Sequence, residues 1–130
     1  MLIMKKNIVI VDDDPDIITL LTYSFSKNGN TIYAFESSKD AFNHIAINKP
    51  DLIISDWMMP DLDGIQLCRL ITIDPILKTI PFIFLTCKDD NKDKEMAWEA
   101  GATEFVTKPV KIKDLLEKVK QILGREKLPY

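Results

Sequence analysis

Four positions along this 130-residue chain carry residue types that could act together: Asp12-Asp13-Asp14, Asp56, Thr86 and Lys108. Each follows or ends a short apolar run: NIVIV before Asp12, LIIS before Asp56, FIFLT ending at Thr86, EFVT before Lys108. If those runs are neighbouring strands, three or four carboxylates, a hydroxyl and an ammonium meet at one rim. Clustered carboxylates repel, and burial raises the cost, so positive charge must offset them. Mg²⁺ suits such a cluster, being a hard ion that takes a few carboxylates, waters and phosphate oxygens. Lys108 supplies a second positive charge. Nothing here suits zinc: there is one histidine, His44, and the two cysteines, Cys68 and Cys87, stand far apart. A divalent cation flanked by a carboxylate, a hydroxyl and a lysine is an apparatus for phosphoryl transfer. A carboxylate can be the nucleophile, forming an aspartyl phosphate. GxxxxGK[ST] and GxGxxG are both missing from the sequence, so a nucleotide is a poor candidate for the phosphate source.

The elements that must hold these residues alternate from end to end. Asn7–Val11 is a continuous β-branched run, as in a strand buried on both faces. Asp14-Pro15 opens a helix with a cap and a first-turn proline, and Asn28-Gly29 closes it. Thr31–Phe35 is a second strand, and Ser37 or Ser38 caps a second helix. Leu52–Ser55 is a third strand, followed by a turn-rich stretch from Met59 to Gly64 and a third helix. Phe82–Thr86 is a fourth strand, and Asp89 or Asp90 caps a fourth helix that ends at Gly101. Glu104–Thr107 is a short fifth strand, and a last helix closes at Gly124. Five strand–helix units imply a doubly wound parallel sheet covered by five helices, with ligands bound beyond the carboxyl ends of the strands.

Composition sets the background. The apolar fraction of 46% and charged fraction of 28% are those of an ordinary globular domain. A net charge of −3 disfavours broad binding to nucleic acid. No stretch approaches a membrane span, and Met1-Leu2-Ile3-Met4 is far too short for a signal peptide, so the cytoplasm is the expected compartment. Cys68 and Cys87 both read as small buried hydrophobes. Trp98 reads as a helix-packing residue, and Trp57, next to Asp56, is expected near the metal. Taken singly, Asp14 and Asp16 are helix-start charges, Asp61 and Asp63 are turn residues beside Gly64, and Lys108 is a solvated lysine. Only their joint placement at successive strand ends calls for more.

Four segments, IVIVDDDPD, DLIISDWMMPDLDG, PFIFLT and AGATEFVTKP, occur in this order with matching spacing. Together they resemble the receiver domain of bacterial two-component response regulators, over about Lys6 to Gly124. The resemblance implies a flavodoxin-like sheet of order 2-1-3-4-5. It implies that Asp56 accepts the phosphoryl group, that Asp13 binds Mg²⁺ directly and Asp12 through water, and that Asp56 and the Met58 carbonyl complete the metal set, with Mn²⁺ an acceptable substitute. Thr86 matches the hydroxyl that bonds the phosphoryl oxygen, and Lys108 the lysine that pairs with it, with a cis Lys108-Pro109 bond. Phe105 matches the aromatic switch position, which here has no hydroxyl. Cys87 stands where a smaller residue is common and is expected to narrow access. The resemblance places Met58 and Lys88 beside the site, at positions that tune dephosphorylation in the family.

The function so implied is a phosphorylation-dependent switch, not an enzyme with a turnover substrate. A phosphohistidine of a sensor histidine kinase or histidine phosphotransfer protein supplies the phosphoryl group. The surface of helix four, strand five and helix five then regulates an unidentified partner or output domain, as a monomer or a phosphorylation-dependent dimer, without nucleic acid or membrane contacts. Residues 1–124 are the expected receiver domain and 125–130 a short tail, either of a stand-alone regulator or of a longer chain. Two rivals stay open at this level. A haloacid-dehalogenase-like phosphatase would use Asp12 as nucleophile, although Pro15 and Asp16 depart from its pattern. A flavodoxin-like electron carrier would need a Ser/Thr-rich loop after the first strand, where this chain has acids.

Overall fold

The computed structural model describes residues 5–59, 61–87 and 90–125. Among these, five strands and five helices alternate: β1 Asn7–Val11, α1 Pro15–Ser26, β2 Thr31–Phe35, α2 Ser38–Asn48, β3 Leu52–Ser55, α3 Gly64–Ile73, β4 Phe82–Thr86, α4 Asn91–Ala100, β5 Glu104–Thr107 and α5 Ile112–Arg125. The strands form one parallel sheet in the order β2-β1-β3-β4-β5. The doubly wound architecture expected from the alternation is therefore the one present. The expected cap at Asp89, the tuning role of Lys88 and most of the tail (126–130) lie outside the described residues, as does Pro60.

The apolar runs are continuous because both faces of the sheet are covered. Val9, Val11, Ile53, Phe82 and Phe84 point to one face, where α2, α3 and α4 pack. Ile8, Ile10, Leu52, Ile54, Ile83 and Leu85 point to the other, where α1 and α5 pack. Successive strand side chains alternate faces, so each run must be apolar throughout to satisfy both.

Short polar signals start the helices. Asp14 caps α1 by accepting from the Asp16 amide at 2.9 Å, with Pro15 next in the chain. Ser37, rather than Ser38, caps α2. Asp63 is more than a turn residue: it caps α3 in a reciprocal capping box with Gln66. Asp90 caps α4 through the Asp93 amide at 2.8 Å. Gly101 ends α4 in the left-handed region, at φ 104°. Gly124 does not end α5, which continues to Arg125. The helix is held there by Ile122 and Leu123 packing on the sheet, and that tertiary contact outweighs the weak breaking tendency of one glycine.

Two expected burials are corrected. Cys87 is exposed, because the chain has already left β4 and turned over the sheet's rim. Trp98 is 47% exposed, since α4 turns only Ala97 and Ala100 inward. Cys68 is buried as expected, and burial pushes its thiol up to about 12, which keeps it unreactive.

Candidate functional site

The carboxyl ends of β1 and β3 lie side by side in the centre of the sheet, in register from Ile8 with Leu52 to Val11 with Ser55. The residues following each strand are thereby neighbours. The Asp56 amide bonds the Val11 carbonyl at 2.9 Å, and the Asp12 amide bonds the Phe35 carbonyl at 3.0 Å, extending the ladders one step past the strands. Asp12 is 1% exposed and Asp56 8%, while Asp13 turns outward. Carboxylate oxygens of all three lie within 4.8 Å of one another.

Lys108 reaches this cluster from the far side. β5 pairs with β4, Thr86 opposite Thr107, and the Lys108 amide bonds the Thr86 carbonyl at 2.8 Å. The Lys108-Pro109 bond is cis, as expected. From there the Lys108 ammonium donates to Asp12 Oδ2 at 3.0 Å and Asp56 Oδ2 at 3.2 Å. The remaining oxygens also have partners. Asp12 Oδ1 accepts from the Asp14 amide at 2.9 Å, and Asp56 Oδ1 from the Trp57 amide at 2.7 Å.

Burial pushes the Asp12 carboxyl above its ordinary value, against the Asp14 and Lys108 hydrogen bonds that pull it down. Burial also works against the charge on Lys108, but the Asp12 hydrogen bond and the attraction of Asp12 and Asp56 outweigh it, and the ammonium is held above its ordinary value. One ammonium facing three carboxylates leaves negative charge in excess. An all-oxygen donor set with excess negative charge fits a hard divalent cation such as Mg²⁺.

Thr86 ends β4, 1% exposed. Phe105, opposite Phe84 on β5, is partly buried and meets the Trp57 ring edge-on at 6.4 Å between centroids. Trp57 also lies 5.5 Å from the Phe84 ring. The Trp57 ring is 4% exposed and belongs to the core beneath the rim, while its amide bonds Asp56. The Met58 side chain is 61% exposed. Cys87 and Lys108 line a groove of about 510 Å³ beside the cluster, with Ile17, Leu20, Pro109 and Val110. Asp12, Asp13, Asp56, Met58, Thr86, Phe105 and Lys108 thus lie at or just beneath one rim of the sheet.

Two residues are more than their local sequence suggested. Gly64 sits so close to the strand end that a Cβ there would stand 2.3 Å from the Asp56 carbonyl oxygen and 2.9 Å from the Trp57 Cα. Asp61 bonds across 24 residues to Ser37. No local sequence signal announces that contact, whereas the Asp63-x-x-Gln66 spacing carries a capping-box signal that the reading of Asp63 as a turn residue left unused.

Comparison with known proteins agrees with this geometry. Residues 8–120 match the family described as response regulator receiver domain. The alkaline phosphatase synthesis transcriptional regulatory protein PhoP of Bacillus subtilis is 35% identical over 125 residues, covering 96% of this chain and 51% of its own. The chain therefore spans about half the length of that relative. The receiver domain of a signal transduction histidine kinase from Syntrophus aciditrophicus superposes with a TM-score of 0.88 at 36% identity, covering 96% of this chain and 95% of that one. A putative response regulator from Chloroflexus aurantiacus gives 0.87 at 33% identity, covering 92% and 98%. The chain belongs to the response regulator receiver domain family of two-component signalling.

Proposed function

We propose that this domain is a switch in which Asp56 accepts a phosphoryl group from a phosphohistidine of a histidine kinase or histidine phosphotransfer protein. The observation that carries the reading is the meeting of the Asp12, Asp13 and Asp56 carboxylates within 4.8 Å, with the Lys108 ammonium bridging Asp12 and Asp56. Asp12, Asp13, Asp56 and the Met58 carbonyl would hold Mg²⁺, or Mn²⁺ in its place. When bound, the ion supplies neutralisation of the charge that a phosphoryl group brings to an acidic site.

This chain's residues do the rest. One Asp56 carboxylate oxygen attacks phosphorus in line. The new O–P bond forms as the N–P bond of the donor breaks, and the electron pair and a proton end on the donor imidazole. Lys108 exchanges its bond to the Asp56 carboxylate for the phosphoryl oxygens, which keeps the added negative charge paired. The Thr86 hydroxyl donates to a phosphoryl oxygen, and Phe105 takes up the space it leaves. That biases a two-state equilibrium at the α4, β5 and α5 surface, which regulates a partner or an output domain. Water later attacks the acyl phosphate and resets the domain, with no separate turnover substrate. Thr86, Lys108 and Asp56 form the reacting group, Thr86 and Phe105 the switch. The domain acts in the cytoplasm, without contacting nucleic acid or membrane, as a monomer or a phosphorylation-dependent dimer. Among the described residues, no helix is long and apolar enough to cross a membrane.

The test is labelling with acetyl phosphate in MgCl₂, read by intact mass. Asp56→Asn is expected to abolish labelling and Asp12→Asn only to slow it. Label retained in Asp56→Asn but lost in Asp12→Asn would instead favour the phosphatase chemistry at Asp12.

A further inference from the structure

The loop between β3 and α3 carries Met58, whose carbonyl the proposed function assigns to the metal, yet few bonds fix it. Its base is closed by the Gly64 amide on the Trp57 carbonyl at 2.7 Å. Met59 and Leu62 pack against the core. Among the described residues, the only hydrogen bonds that tie the stretch from Met58 to Leu62 to another element come from Asp61. Its Oδ2 accepts from the Ser37 hydroxyl at 2.7 Å and the Lys39 amide at 3.2 Å, and its Oδ1 faces the Ser38 amide at 3.4 Å. All three donors stand at the start of α2. That helix is capped twice, since the Ser37 hydroxyl also accepts from the Asp40 amide at 3.3 Å.

We propose that Asp61 is a positioning residue for divalent-cation binding: it fastens the loop that bears the Met58 carbonyl to the N-terminus of α2. The inference rests on the proposed metal site.

The physical case has three parts. The bonds are charge-assisted, which makes them shorter and stronger than neutral ones. The acceptor lies where the amides of a helix start are unsatisfied and the helix dipole favours negative charge. The partners are in different elements, so the clamp removes a freedom of the loop that local turn chemistry leaves open. Consistent with this, the Ser37 hydroxyl holds the Asp61 carboxyl well below the usual carboxylate range although the side chain is exposed. Asp61 touches no reacting group. It acts on the metal as outer partners of metal ligands do, by orienting what binds it, an effect typically worth about 10- to 100-fold in affinity.

The experiment is calorimetric titration of the full chain with MgCl₂, comparing wild type, Asp61→Ala, Asp61→Asn and Lys39→Pro. Ile45→Val serves as a control that loosens α2 at its buried face without touching the clamp. Asp61→Ala is expected to bind Mg²⁺ about tenfold more weakly. Asp61→Asn, which keeps one acceptor oxygen, is expected to recover most of that loss. Lys39→Pro removes one donor at a first-turn position where proline is tolerated, and is expected to weaken binding by about threefold. Ile45→Val is expected to stay within about twofold. If Asp61→Ala does not fold, Lys39→Pro carries the comparison alone. Affinity within about twofold of wild type in Asp61→Ala and Lys39→Pro, wherever they fold, or an equal loss in Ile45→Val, overturns the positioning role and leaves the metal site intact. A wild type that does not bind Mg²⁺, or Asp13→Asn binding it equally well, overturns the metal site itself and the inference with it.

Discussion

The two faces of the sheet are built from the same strands but not in the same way. On one face α1 and α5 pack on Ile8, Ile10, Leu52, Ile54, Ile83 and Leu85, and among the described residues buried there Phe25 is the one aromatic. α5 commits four large aliphatics to that face: Leu115, Val119, Ile122 and Leu123. On the other face the rings of Trp57, Phe82 and Phe84 cluster beneath the acidic rim, with Phe105 against them. α4 commits only the methyls of Ala97 and Ala100 there. Each buried methylene contributes about 0.8 kcal/mol, so displacing α4 forfeits far less burial than displacing α5. One face anchors the sheet. The other couples the rim to a helix whose displacement forfeits little burial, so the proposed change at the α4, β5 and α5 surface is expected to fall chiefly on α4.

Four substitutions test that contrast. The largest loss is expected from Phe25→Ala, on the anchoring face: about 4 kcal/mol in urea unfolding, with the Trp57 emission of the folded state unchanged. A large spectral change in the folded variant would show that the two faces are not independent. Gly64→Ala, on the site face, forces a Cβ against the Asp56 carbonyl and Trp57. It is expected to cost about 3 kcal/mol through overpacking and, unlike Phe25→Ala, to shift Trp57 emission and slow acetyl phosphate labelling of the folded fraction.

Lys108→Ala leaves two buried carboxylates without their cation and is expected to cost about 2 kcal/mol in metal-free buffer at neutral pH. Because the folded protein holds Lys108 above its ordinary value of 10.5, its contribution is present below pH 10.5 and is lost as pH rises through the folded value. Wild-type and variant stabilities measured against pH should therefore converge at the alkaline end, and a gap that widens there would contradict the assignment. The smallest effect belongs to Trp98→Phe. Its ring lies away from the buried side of α4, so stability should change by no more than about 0.5 kcal/mol. This substitution also leaves Trp57 as the sole tryptophan for the emission measurements.

Much of the rim was legible because its residues sit at fixed offsets from apolar runs. A parallel strand that stops at Val11 or Ser55 delivers the next residue to the same edge every time. The Asp14 cap was legible for a similar reason, since it acts within a turn of its own position. Asp63 was read only as a turn residue, and its capping box with Gln66 emerged in the structure. The misread residues are those whose surroundings come from elsewhere in the chain. Cys87 follows an apolar strand and was expected to be buried, but exposure there depends on how the chain leaves the rim. Trp98 lies one residue from a buried alanine, and its exposure depends on the rotation of α4 against its neighbours. Asp61 looked like one more turn acid, and its partners on α2 lie more than twenty residues away.

The alternation of strands and helices, the doubly wound class, and the set of acids, hydroxyl and lysine at the strand ends follow from local pattern, because periodicity, caps and turn residues act over a few positions. That Lys108 bridges Asp12 and Asp56, that Trp57 joins the core under the rim, and that Asp61 clasps α2 emerges from the folded arrangement alone. Those contacts join segments far apart in the chain, and their geometry follows from strand order and helix docking, which no local pattern encodes.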